Sequence, residues 1–214
     1  MRRHARPLGV LAAVAKGLFL LWAVPARSAQ PPTLQQIHAL VRHMAEDARE
    51  LFFFYEQEQH LAFARLCRTN TSLEWLRGTV VTGTGGLRAL HGAMARMDRA
   101  LQGISQHQRD LHPPGAPILR RLDSTRLKVR GLLSNLEGIL HAHGIVPTVP
   151  TLPRLPAATG VFQQKLEGCR ILWSYARFTE QLSAQLEERG LRARREERRQ
   201  QRRGRRRGRR PARS

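Results

Sequence analysis

Two cysteines are all that the 214-residue chain contains, Cys67 and Cys169. They stand too far apart for a local zinc knuckle, whose ligands sit a few residues from one another. Catalytic signatures are missing as well. Neither a Gly-x-Ser-x-Gly nucleophile elbow nor a His-Glu-x-x-His helix is present, so acyl transfer and zinc proteolysis lack their usual carriers. The nine histidines are scattered, and His141 and His143, two apart, would leave a helix on different faces. Thr82-Gly-Thr-Gly-Gly86 is glycine-rich but lacks the Gly-Lys-Ser/Thr ending of a phosphate-binding loop; it reads as a flexible lead-in to a helix. No catalytic group, metal or cofactor is expected. Beyond residue 24 no long apolar run occurs, so the rest of the chain should be soluble, with no stable membrane insertion.

Acidic residues are the other shortage, 16 against 37 Lys and Arg, for a net charge of +21. Spread evenly, such a charge would suggest a nucleic-acid partner. It is not spread evenly. Residues 189–214 hold fourteen Arg and two Glu, and residues 1–29 hold four Arg and one Lys, which leaves +4 for 30–188. The N-terminus has the form of a secretory signal. Arg2, Arg3 and Arg6 precede an apolar stretch from Leu8 to Val24 interrupted by Lys16, and Val24-Pro-Ala26 and Ala26-Arg-Ser28 offer small-residue cleavage contexts. We assign residues 1–28 to that signal, 29–189 to a helical domain and 190–214 to a tail. A secreted, extracellular protein is expected.

Four stretches carry a 3.6-residue apolar period. The first helix spans about Thr33–Gln59 on Leu34, Ile37, Leu40, Val41, Met44, Ala48, Leu51, Phe52 and Tyr55. The second spans Leu87–Leu111, and the third runs from Pro117, a residue suited to a first turn, to His143, with Gly144 placed for a left-handed cap. The fourth opens near Thr159, a plausible N-cap, and runs to Arg189, where Gly190 can end it. Val161, Cys169, Leu172, Ala176, Leu182 and Leu186 form its buried stripe. A helix of about 25 residues is near 37 Å long. The second connection is only a few residues, whereas the first and third are long enough to run the length of a bundle. Long-short-long spacing predicts an all-α, long-chain four-helix bundle, up-up-down-down with two crossover loops; an up-down-up-down bundle stays open, because a long loop can also join antiparallel neighbours.

Phe162 and Lys165, three apart, neighbour each other on the first turns of the fourth helix. Periodicity leaves two readings: an edge-of-core ring beside a solvated Lys, or an aromatic overhanging the core as a binding hot spot. Gly131, inside the third helix, costs up to about 1 kcal/mol relative to Ala and needs a reason, either a close helix contact or a surface role shared with Asn135 one turn on.

Phe162-Gln-Gln-Lys165, Leu51-Phe-Phe-Phe-Tyr55, Leu66-Cys67 and Arg130-Gly-Leu-Leu-Ser-Asn135 are four stretches that together resemble the leukaemia inhibitory factor and oncostatin M cytokines. Phe162-Gln-Gln-Lys165-Leu-Glu-Gly-Cys169 is similar to the start of that family's fourth helix. Leu51-Phe-Phe-Phe-Tyr55 resembles the end of its first, Leu66-Cys67 with the Asn70-Thr-Ser72 sequon its first long loop, and Arg130-Gly-Leu-Leu-Ser-Asn135 the middle of its third. The resemblance covers about residues 33–188 and implies a cytokine that cross-links receptors without catalysis and triggers JAK/STAT signalling. It implies that Phe162 and Lys165 meet the leukaemia inhibitory factor or oncostatin M receptor, and that Gly131 and Asn135 meet the shared interleukin-6-family signal transducer. The companion residue on the first helix does not transfer, since Leu40 or Val41 stands there. Even cysteine count in an oxidising compartment allows pairing or two buried thiols; the resemblance implies a Cys67–Cys169 bridge. Asn70 is a glycosylation acceptor if the chain is secreted.

Arginine dominates the tail, and its self-repulsion predicts disorder over 190–214. Arg192-Ala-Arg-Arg195, Arg203-Gly-Arg-Arg206 and Arg207-Gly-Arg-Arg210 look like sites for basic-residue proteases, so the tail reads as a removable propeptide, most like oncostatin M. A contact with heparan sulfate through it is also expected, with no specific nucleic acid. The rival reading is an arginine-rich polyanion-binding protein on a helical scaffold.

Overall fold

The structure is a computed structural model that describes residues 34–61, 66–68, 73–76, 79, 83–147 and 160–207. Four helices dominate: α1 (Leu34–Glu58), α2 (Gly83–Leu111), α3 (Pro117–Ala142) and α4 (Val161–Arg207). Short 3-10 turns at Leu66–Arg68 and Glu74–Leu76 lie between α1 and α2.

Each helix buries one stripe. On α1, Ile37, Val41, Met44, Ala48, Leu51, Phe52 and Tyr55 are buried, at the spacing that keeps side chains on one face. They meet Leu90, Met94, Met97, Leu101 and Ile104 of α2, Ile118, Leu122, Val129, Leu132 and Leu136 of α3, and Cys169, Leu172, Tyr175, Ala176 and Leu182 of α4 in one continuous core.

Helix α1 packs on α4 and α3, and α2 packs on α3 and α4. The order round the bundle is therefore α1, α3, α2, α4. Polar pairs give the directions. Asp47 pairs with Lys128 and Glu50 with Arg121, so α1 and α3 run antiparallel. His91 pairs with Glu137, Asp98 with Arg126 and Arg109 with Asp123, so α2 and α3 do too. Tyr55, near the end of α1, reaches Lys165 at the start of α4. Both α1 and α2 thus oppose α3, and α4 opposes α1: the expected up-up-down-down bundle.

Helix ends match the periodic reading at Gly144, the expected left-handed cap, and differ from it elsewhere for physical reasons. The C-terminus of α1 is closed by His60 at φ 56, with Leu61 N–H donating to the Glu56 carbonyl and His60 N–H to that of Gln57. This is the paired bonding that satisfies orphan carbonyls, made with a histidine where glycine is usual. At the end of α3, Gly144 at φ 71 does the same, its N–H on the His141 carbonyl and that of Ile145 on Leu140. Helix α2 starts at Gly83, not Leu87; the glycine-rich lead-in supplies the carbonyls that the next turn needs.

The fourth helix departs most. It runs to Arg207, not Arg189, so 190–207 is helix where disorder was expected. Gly190 has ordinary helical backbone and caps nothing. Arginine is a good helix former, no proline intervenes before Pro211, and Arg192 pairs with Glu188 one turn back. Together these let an already nucleated helix propagate. The signal segment 1–28, Thr159 and the last residues of the tail lie outside the described residues.

Candidate functional site

The first turn of α4 overhangs the core. Gly160, at φ +105, turns the chain into the helix, and its carbonyl accepts from Gln164 N–H at 3.1 Å. Val161 and Phe162 follow and are 54% and 55% exposed, whereas Leu166 is buried. Of the two readings of Phe162, the structure matches the overhanging ring. Val161, assigned to the buried stripe, is exposed instead, because the stripe begins only where α1 and α2 reach up to cover it. Lys165 is half-buried beside them.

Three devices fix this turn. The first is covalent: Cys67 and Cys169 form a disulfide across a separation of 102 residues, and Arg170 Nε donates to the Leu66 carbonyl at 3.3 Å next to it. The second is a close approach. A Cβ on Gly168 would lie 2.6 Å from the Tyr55 hydroxyl, and at ordinary contact distance, 3.5 Å, from Ile104, so glycine is what lets α4 sit this near Tyr55 of α1. The third is a buried polar chain. The Gln59 amide donates to Gln108 Oε1 at 2.9 Å, the Gln108 amide donates to the Tyr55 hydroxyl at 3.3 Å, and that hydroxyl donates to the Lys165 carbonyl at 3.3 Å. Burial pushes the Tyr55 phenol above its ordinary value, opposed by the weaker effect of the Gln108 hydrogen bond. The phenol therefore keeps the proton it donates. Sequence reading passed over Gly168, Gln59 and Gln108; the glycine beside Cys169 was the one available signal.

Beside the disulfide, Arg68 pairs with Glu56 at 2.9 Å. Its guanidinium also lies 5.6 Å from the ring centres of Phe52 and Trp173. The connection is thus clamped against α1 and α4 by cation–π contact as well as by sulfur.

The second candidate patch is on α3. Gly131 is exposed, and a Cβ there would meet nothing within 4 Å, so the close-contact reading of this glycine does not hold. Asn135 is half-buried one turn on, and Leu127, one turn back, is 69% exposed. The Asp47–Lys128 and Glu50–Arg121 pairs turn this flank of α3 toward α1. Counting from Asp47 and Lys128 along the antiparallel pair sets Leu40 level with Asn135. Leu40 is half-buried and accessible, while Val41 is fully buried; of the two residues that stand where the companion does not transfer, only Leu40 reaches the surface.

The structure brings Phe162 to Lys165 and Gly131 to Asn135 but keeps the pairs apart. Helices α3 and α4 occupy opposite corners of the ring, and Tyr55 and Leu40 mark levels about 22 Å apart along α1 at 1.5 Å per residue. Two partners could bind together. Asn70 lies outside the described residues. Among those described, no group of three or more His, Cys, Asp or Glu could hold a metal ion, and no helix is long and apolar enough to cross a membrane.

Comparison with known proteins adds an independent line. The family model described as LIF / OSM family matches residues 33–186. Cardiotrophin-2 of Mus musculus is 30% identical over 96 residues, which are 44% of this chain and 47% of that relative. The matched stretch thus spans about half the length of the curated relative.

Proposed function

The chain belongs to the LIF / OSM family and is a helical cytokine, a signalling protein rather than an enzyme, and on that premise we propose how it signals. It is secreted, loses residues 1–28 and carries a glycan on Asn70. It then joins two receptor chains, the shared interleukin-6-family signal transducer and the leukaemia inhibitory factor or oncostatin M receptor. The receptors brought together activate Janus kinases and STAT factors.

Phe162 and Lys165 engage the long receptor. The observation that carries this is an aromatic ring more than half exposed on a turn held by a disulfide and a buried hydrogen-bond chain. A rigid, apolar anchor next to a cation loses little entropy when it is covered and has the composition of an interface hot spot. Gly131 and Asn135 engage the transducer, with Leu40 as the α1 neighbour. The open space over Gly131 lets another backbone come close. The tail adds a contact with heparan sulfate.

Binding to the two receptor ectodomains, measured separately on a sensor surface, tests the assignment. Phe162→Ala with Lys165→Ala should weaken the long receptor about 30-fold or more, in keeping with hot-spot truncation, and leave the transducer within twofold. Gly131→Arg should do the reverse. Loss of both receptors in either variant, with melting unchanged, would break the division into two sites.

A further inference from the structure

Helix α4 outlasts the bundle. Among the described residues its last buried side chain is Leu186, yet it continues to Arg207, and every residue from Gly190 to Gln201 is exposed. That exposed span is about 18 Å of helix at 1.5 Å per residue. It carries Arg192, Arg194, Arg195, Arg198 and Arg199 against Glu196 and Glu197. Arg192, Arg195 and Arg199, at i, i+3 and i+7, share one face, and Arg194 and Arg198, at i and i+4, share the next. The two glutamates fall on the remaining side.

Three occupants suit a basic helix, and the composition separates them. A bilayer surface needs an apolar face to bury; this span offers only Leu191, 49% exposed, and Ala193. Single-stranded nucleic acid needs rings on which bases stack; no aromatic residue occurs from Gly190 to the C-terminus. What remains is a row of guanidinium forks on a stiff rod. Each fork can take two oxygens of a sulfate group at once.

We propose that the α4 extension is a docking site for sulfated polysaccharide of the heparan sulfate class, and that a polysaccharide held there leaves the receptor-binding end of α4 uncovered. The proposal rests on the extracellular reading above for its choice of ligand. Its geometry is its own: Arg192 lies thirty residues from Phe162 on one continuous helix, a distance of about 45 Å. A matrix-bound molecule therefore still presents Phe162. Cleavage after Arg195 takes Arg198 and Arg199 away from the bundle together with every arginine that follows, and weakens its hold on the polysaccharide.

Heparin on a sensor surface, with the full-length secreted protein over a salt series, is the test. Replacing Arg192, Arg194, Arg195, Arg198 and Arg199 by Gln should weaken binding about tenfold or more and flatten its dependence on salt, as fewer counterions are released. Ala193→Pro leaves the charge unchanged and breaks the helix; it should weaken binding several-fold. Both variants should melt like the parent, since the span contributes nothing to the core. Full affinity in the Gln variant overturns the site, and full affinity in Ala193→Pro overturns its helical form. Equal competition by single-stranded DNA or anionic vesicles at matched charge overturns the choice of polysaccharide. Heparin-bound protein should capture the long-receptor ectodomain as well as free protein does. If free protein captures and heparin-bound protein does not, the two-ended arrangement is wrong. If neither captures, the fault lies with the receptor assignment, and the heparin result stands alone.

Discussion

Gly168 and Tyr55 form a close joint between α4 and α1, and they can be tested as a pair. A methyl at Gly168 would press on the Tyr55 hydroxyl at 2.6 Å, but the ring carbon behind it is 3.3 Å away. Gly168→Ala should cost about 2–3 kcal/mol by overpacking, and Tyr55→Phe about 1 kcal/mol for its lost hydrogen bonds. In the double variant much of the first cost should vanish, a coupling that denaturant titration of all four proteins would read. Additive costs would mean that the two residues do not press on each other. Tyr175 makes the contrast: its buried hydroxyl has no partner among the described residues, so Tyr175→Phe should be neutral or slightly stabilising. Tyr55 and Tyr175 are the chain's two tyrosines, and burial pushes both phenols above their ordinary value of 10.0. The fold favours their neutral forms, so the stability they add is complete below pH about 10 and is lost as pH rises further. Tyrosinate absorbance should therefore appear in one step together with loss of helical circular dichroism. A phenol that ionises well before the helices melt would contradict this burial.

Helix α4 is anchored near its start by sulfur and is exposed from Gly190 to Gln201. Serine at both Cys67 and Cys169 should lower stability by up to about 4–5 kcal/mol, the chain-entropy value for closing a loop of about a hundred residues, and should blunt long-receptor binding more than transducer binding. Unchanged melting would mean that the bridge adds nothing to the fold. The elements themselves were legible in sequence, because apolar residues recur with one period over more than twenty residues in each. Their ends were less so. Gly144 could be read as a cap because glycine reaches positive φ without strain; His60, at φ 56, could not. Val161 obeys the stripe's period and is still exposed, since period says nothing about where neighbouring helices stop. The arginine run reads as disordered from charge repulsion alone, whereas the helix that precedes it carries it on to Arg207. Gly131 was readable as an anomaly, but only the empty space over it decides that it faces outward.

At the scale of the whole molecule, the long-short-long connections anticipated the up-up-down-down topology; the packing of the helices supplies the ring order α1, α3, α2, α4, and the ion pairs fix the helix directions. This topology sets the two candidate patches on opposite corners and at different levels, a separation that the proposed joining of two receptor chains would use. The most direct test of that arrangement is STAT phosphorylation in cells bearing the transducer and one long receptor of the same species, using protein that ends at Arg189. The parent should signal. The Phe162→Ala/Lys165→Ala form should lose most of its signal while its melting and its transducer binding persist. A double variant that signals at full strength would contradict the account.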